Sequence, residues 1–196
     1  YDILANALQD AFKLFSDGQE IDIALIREGL SEIARSLQRN PDAVMWLLRL
    51  KQNDQYSFDH AMDVAVNMIL LGTHVGWRDE RLLELGLTGM MQDIGKIQLP
   101  HELLSKKEPF SVAELKVVRS HVASSLEMLY SQANLPQGVI LTVSRHHERW
   151  DGSGYPRGLK FEQIGLAAEI AGLADSFCAM LKDKPYRTAL GHQEAL

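Results

Sequence analysis

The 196 residues carry 20 Lys and Arg against 26 Asp and Glu, a net charge of −6, which excludes duplex nucleic-acid binding by bulk charge. That length fits one or two compact domains, and hydrophobic residues at 46% exclude a disordered chain. The single cysteine, Cys178, excludes an intrachain disulfide and fits a reducing cytoplasm, and no apolar run reaches the roughly 18 residues of a membrane span.

Helical patterns fill the chain, and alternating strand-like runs are almost absent. Ile3–Phe15 sets Leu4, Ala7, Leu8, Ala11 and Phe12 on one helical face, and Asp22–Gln38 repeats the pattern with Ile23, Ile26, Leu30, Ile33 and Leu37. Asn40-Pro41 opens a helix over Asp42–Leu50, as a cap followed by proline at the first helical position. Ser57 caps a long helix to His74, and Gly76 stands at its stop. Asp79–Gly89 is the next helix, followed by Met90–Lys96. Ser111 and Glu114 form a capping box for a helix reaching about Tyr130. Leu135-Pro136 starts a helix that carries the chain to Glu148. Asp151–Gly158 holds three glycines and a proline and is a loop, and Ile164–Lys182 is helical again, ended by Pro185. The reading is all-α, with an N-terminal helical lead-in over 1–52 and a histidine-bearing domain over 53–196. The chain begins and stops inside helical patterns, so it is read as a piece of a longer protein.

Seven histidines occur, and several stand near acidic residues on predicted helices. Imidazole with carboxylate is a donor set that Fe(II), Mn(II), Zn(II) and Ni(II) accept. No pair has the short spacing of a zinc finger, so a metal site would be assembled from several helices. The bland alternative is surface or hydrogen-bonded core histidines. Adjacent helix positions point about 100° apart. His146 and His147 therefore share a site only if it lies between their directions or holds two metals; otherwise one points outside. Asp93-Ile-Gly-Lys96 fits a metal carboxylate beside a phosphate-binding cation, or equally an ordinary helix end with its terminal cation. The glycine loop needs positive φ, and Tyr155-Pro156 fixes an aromatic ring in it beside the two histidines. It either borders a site or merely connects two helices.

These motifs resemble the HD-GYP family, a branch of the HD phosphohydrolase superfamily. His146-His-Glu-Arg-Trp-Asp-Gly-Ser-Gly-Tyr-Pro156 matches the family's His-His-Glu…Asp-Gly-x-Gly-Tyr-Pro signature. Gln92-Asp-Ile-Gly-Lys96 with Pro100 parallels its His-Asp-x-Gly-Lys…Pro, and the likeness runs from about Asp54 to Arg187. It implies an all-helical HD-domain bundle that binds divalent metals, often iron or manganese, and hydrolyses the bacterial second messenger cyclic di-GMP to the linear dinucleotide or GMP. It implies Asp93 as a bridge between two metals, His121, His146 and His147 as ligands of the second, and His60 and Asp175 as ligands of the first or of a third. Lys96, Lys184 and Arg187 would hold phosphate oxygens, Asp54 would lie close to the attacking water, and Tyr155 would touch substrate or a partner.

Three positions depart from the family. Gln92 replaces the namesake histidine, so the first metal should be held less tightly. Tyr56 stands where three-metal members have glutamate, which argues for two metals. Cys178 replaces a frequent aspartate and reads best as a small buried residue. Two functions follow: a working cyclic di-GMP phosphodiesterase, or an impaired domain that binds the dinucleotide or a GGDEF-type cyclase through the glycine loop. A bacterial cytoplasmic location is expected, and a homodimer through Leu4, Leu8, Phe12 and Phe15 is open.

Overall fold

The computed structural model describes residues 10, 13–14, 19–40, 56–182, 189–191 and 194–195. Among them the helices are α1 (Ile23–Arg39), α2 (Tyr56–His74), α3 (Glu80–Met91), α4 (His101–Leu104), α5 (Val112–Arg119), α6 (His121–Tyr130), α7 (Gln137–Val143) and α8 (Leu166–Met180). Two 3-10 turns, Ile94–Gln98 and Phe161–Gln163, complete the set, and no strand occurs among the described residues. The expected all-α bundle is what the chain forms.

Helix α2 is the axis. Its residues Val64, Ala65, Val66, Met68 and Ile69 are fully buried, so it is covered on all sides. Helix α3 crosses it where Gly89 lies on the Ala65 backbone; a Cβ there would run into Ala65. On one side, Ile23, Ile26, Leu30 and Ile33 of α1 join Ala61, Met62, Leu82, Met90, Leu129 and Val139 in one apolar cluster. On the other side, Ile170, Ala171, Ala174 and Cys178 of α8 close over Val64, Met68 and Leu85. The α1 stripe forms as its spacing predicts, with Asp22 capping the helix by accepting from Leu25 N at 3.1 Å. The described part of the expected N-terminal lead-in, helix α1, thus shares a core with the later helices.

Some expected boundaries differ. The helix expected over 111–130 is two helices, α5 and α6, meeting at Ser120. Ser120 Oγ donates to Val117 O at 2.7 Å and His121 Nδ1 to Val118 O at 2.7 Å, so side chains compete for the carbonyls that a continuing helix would use. The helix expected to reach Glu148 ends at Val143 for the same reason: Ser144 Oγ takes Leu141 O and His146 Nδ1 takes Val143 O, each at 2.7 Å. The helix expected over Asp79–Gly89 runs from Glu80 to Met91, and the Met90–Lys96 segment after it divides between the end of α3 and a 3-10 turn that starts at Ile94. Helix α8 starts at Leu166 rather than Ile164, after Gly165 at φ 84°.

Several expectations lie outside the described residues. They are the helix Asp42–Leu50, the boundary near 52–53, Asp54, the side chain of Tyr56, and Lys184, Pro185 and Arg187. Of the first expected helix only Asp10, Lys13 and Leu14 are described, and they are helical.

Candidate metal centre

The chain breaks just described are what aim the site. His60 comes from the first turns of α2 and Asp175 from the middle of α8. Gln92 ends α3, and Asp93 opens the following 3-10 turn. His121 starts α6, while His146 and His147 lie in the turn after α7. Because that turn is not helical, the 100° divergence expected of neighbours does not hold. The His146 and His147 rings are 4.0 Å apart and tilted by 42°, and both face the same cluster.

Two groups of ligand atoms form. Asp93, His121, His146 and His147 each bring one atom within 4.8 Å of the others, and so do His60, Asp93 and Asp175. Asp93 belongs to both. Its Oδ1 lies 3.1 Å from His121 Nε2 and 3.9 Å from His146 Nε2, and its Oδ2 lies 3.9 Å from His60 Nε2. His60 Nε2 is 2.9 Å from Asp175 Oδ1, and His147 Nδ1 is 4.0 Å from Asp175 Oδ2. Lys96 Nζ donates to Asp93 Oδ2 at 2.6 Å, with its side chain about a third exposed at 32%.

The residues fit a divalent cation. His121 and His146 each use Nδ1 on a backbone carbonyl, which can only accept, so Nδ1 carries the proton and Nε2 presents a lone pair. Both Nε2 atoms and Asp93 Oδ1 are buried without a hydrogen-bond partner. Although His121 Nε2 and Asp93 Oδ1 are 3.1 Å apart, they do not meet in hydrogen-bond geometry; they converge on a common space. Buried lone pairs without partners are costly unless a cation takes them. Burial pushes the His146 and His147 imidazoles below their ordinary range, which keeps them neutral. Burial pushes Asp93 upward, but Lys96 first and then His121 and His146 outweigh it, leaving the carboxylate ionised. Neutral imidazole nitrogens around two carboxylates are the donor set that borderline divalent metals accept. Both amide atoms of Gln92 are likewise buried without a partner.

The glycine loop folds back over this centre. Tyr155 N donates to His147 O at 3.1 Å, and its ring stacks on the His147 ring at 4.6 Å and 26°. Gly152 and Gly158 take φ of 82° and 65°, as the loop reading required.

Sequence reasoning gave no role to four residues that hold this arrangement. Glu148, 4% exposed, accepts from Arg157 N at 2.7 Å and Leu159 N at 2.9 Å and so latches the loop. Its place just before a Gly/Pro loop with unpaired N–H groups was the available signal. Ser125 accepts from Gly95 N and donates to Gln92 O, both at 2.9 Å, clamping α6 to the 3-10 turn. Gly95 has to be glycine there, since a Cβ would strike His121 O and Ser125 N. Arg149 ties His146 O and Glu148 O to Ser176 Oγ on α8. Arg119 places its guanidinium 4.8 Å over the Tyr155 ring. Nothing in the linear sequence joins these last two pairs. Cys178 is buried, as expected, and burial pushes its thiol well above the ordinary range.

Comparison with known proteins agrees with the geometry. The HD domain family model matches residues 45–196. The chain is 36% identical over 179 residues to the cyclic di-GMP phosphodiesterase PA4108 of Pseudomonas aeruginosa, covering 91% of this chain and 43% of that protein. It is 37% identical over 128 residues to the cyclic di-GMP phosphodiesterase response regulator RpfG of Xanthomonas campestris pv. campestris, covering 65% and 34%. A 3'3'-cGAMP-specific phosphodiesterase of Vibrio cholerae matches at 35% over 145 residues, covering 72% and 33%. The chain thus spans less than half the length of these curated relatives. Among solved structures, Bd1817, an HDG"Y"P protein from Bdellovibrio bacteriovorus, superposes with a TM-score of 0.79 at 17% identity over 98% of this chain and 61% of that one, which speaks to the fold alone. With the family model over most of its length, and His146 and His147 of the His-His-Glu…Gly-Tyr-Pro signature in the Asp93 group, the chain belongs to the HD domain family, in its HD-GYP branch.

Proposed function

We propose that this chain is a metal-dependent phosphodiesterase that opens a cyclic dinucleotide, with cyclic di-GMP as substrate and the linear dinucleotide or GMP as product. The observation that carries the reading is Asp93, one carboxylate shared by two groups of ligand atoms. The names of relatives support the substrate class: two of those above are cyclic di-GMP phosphodiesterases and one is specific for 3'3'-cGAMP.

In this reading Asp93, His121, His146 and His147 hold one divalent ion, iron or manganese before zinc or nickel. His60, Asp93 and Asp175, with Gln92, hold a second more weakly, because a neutral amide replaces an imidazole. Such ions, when bound, neutralise phosphoryl charge and generate a nucleophile at neutral pH. Lys96, at the rim, takes a phosphate oxygen as a mobile point charge. Tyr155 forms a wall against which the substrate lies, and Glu148 holds that wall in place. From the resemblance, Asp54 is the carboxylate near the attacking water, and Lys184 and Arg187 are further phosphate ligands. Residues 53–196 form the working domain and 1–52 its lead-in. The same reading sets the domain in a bacterial cytoplasm, with a GGDEF-type cyclase as a partner and a homodimer through the N-terminal segment to be tested by sedimentation.

The test is cyclic di-GMP hydrolysis by the purified chain, anaerobically with Fe(II) and separately with Mn(II), with bound metal measured alongside. Product from the parent and none from Asp93→Ala is expected. A folded, metal-loaded parent that yields no product overturns the reading.

A further inference from the structure

We infer that Arg119 is a ligand-contacting cation of this site, pairing with the phosphate of the cyclic dinucleotide that is not held at the metal centre. The inference rests on the phosphodiesterase reading above. It begins from a stack: the Arg119 guanidinium lies 4.8 Å over the Tyr155 ring, and that ring lies 4.6 Å from His147, a member of the Asp93 group. Arg119 is therefore two ring steps from the candidate metal ligands, although α5 buries none of its residues.

The second observation is what Arg119 leaves unused. Arg27 pairs with Glu80, Arg35 with Glu32, and Arg149 spans three acceptors. Among the described residues nothing accepts a hydrogen bond from the exposed Arg119 guanidinium or pairs with its charge. Its face rests on an aromatic ring while its N–H edge stays available, the posture in which arginine binds phosphate bidentately. Resting on the ring also pre-orders a long side chain, which lowers the entropy cost of contact.

The third strand is the chemistry of the substrate. A 3',5'-cyclic dinucleotide carries two phosphodiesters, and only the one being cleaved can lie at the metal centre. The other can take a cation near the mouth in addition to Lys184 and Arg187, which the resemblance assigns to phosphate. Lys96, at 2.6 Å from Asp93, stands at the inner end and serves the phosphate held at the metal centre. Arg119 stands outside Tyr155, so it faces the outer part of a bound ligand.

The experiment uses the Mn(II)-loaded chain and two substrates, cyclic di-GMP and the small diester bis(p-nitrophenyl) phosphate, which has one phosphate and cannot span the stack. For Arg119→Ala the expected result is a rise of about tenfold to a hundredfold in KM for cyclic di-GMP with kcat nearly unchanged, the loss associated with one charge-assisted contact. The small diester and the bound-metal content stay at parent values. Arg119→Met keeps the apolar stem on Tyr155 and behaves like alanine, while Arg119→Lys retains part of the affinity, more at low salt than at high. An unchanged KM, a full rescue by Arg119→Met, or equal losses on both substrates overturns the inference, the last two by showing that Arg119 acts only through Tyr155. If the metal-loaded parent hydrolyses the small diester but neither binds nor hydrolyses cyclic di-GMP, the substrate reading fails and this inference falls with it.

Discussion

His121 and His146 each commit one ring nitrogen to a carbonyl three residues back, and this sets the lone pair of the other toward Asp93. A glutamine cannot be fixed in that way, and Gln92 keeps both amide atoms buried and unpartnered. Gln92→His should therefore tighten the ion held with His60 and Asp175 by about ten- to hundredfold, the scale on which ligand-shell changes move metal affinity. Elemental analysis after dialysis against limiting metal should show the variant approaching two ions per chain while the parent stays near one. Equal contents would mean that residue 92 does not face that ion. Glu148 fastens the glycine loop. Its two oxygens accept the amides of Arg157 and Leu159, so Glu148→Ala strands two N–H groups at about 1–3 kcal/mol each where they are buried. Hydrogen exchange should accelerate at those two amides, and limited proteolysis should begin in 152–158, while the circular dichroism of the bundle is unchanged. Protection that survives the substitution would show that the stack of Tyr155 on His147 holds the loop by itself.

At the scale of elements, the apolar stripes were legible and the breaks between them were not. Ile23, Ile26, Leu30, Ile33 and Leu37 were read as one face, and all five are buried. The stops at Ser120 and Val143 leave no mark in the apolar spacing, which runs on past both, because the competition that ends each helix is made by Ser and His side chains. The candidate ligand residues were legible from motif resemblance, but their common direction was not, since it depends on those same stops. The capping box of α5 was fully legible from Ser111 and Glu114. It carries a pH prediction. Lys106 at 2.7 Å and the Ser111 amide hold the Glu114 carboxyl down to about 2 from 4.5. A carboxyl lowered on folding contributes stability that is complete above the unfolded value and lost as pH falls toward the folded one. Amide protection in α5 should accordingly fall between about pH 4.5 and pH 2, and Glu114→Gln should flatten that dependence over the same range. The contribution is modest because the pair is only half-buried and lies at the surface, so the readout is local exchange rather than global unfolding. An α5 as acid-sensitive in the glutamine variant as in the parent would assign the effect to other groups.

For the whole molecule, the decisive fact is that the ligand atoms come from α2, the turn after α3, α6, the turn after α7, and α8. His60, Asp93, His121, His146 and Asp175 are far apart in the sequence, so the donor cluster exists only when the bundle is assembled. The bundle in turn is assembled around α2, with α1, α3 and α7 on one apolar cluster and α8 on the other. Metal binding and global folding are therefore linked, and an ion that binds only the folded chain stabilises it by RT ln(1 + [M]/Kd). At free metal a hundredfold above Kd this is about 2.7 kcal/mol, which for a chain of this size moves the melting midpoint by roughly 5–10 °C. A metal-loaded parent should lose that increment on addition of chelator. Asp93→Ala, lacking the carboxylate common to both groups, should melt at one temperature with or without it. Leu30→Ala, in the α1 stripe and in neither ligand group, should lower both parent midpoints together by removing core packing worth about 2–5 kcal/mol, leaving the chelator increment intact. A chelator shift that vanished in Leu30→Ala would mean that α1 sets the donor geometry itself; a shift that persisted in Asp93→Ala would place the ion elsewhere than at the shared carboxylate.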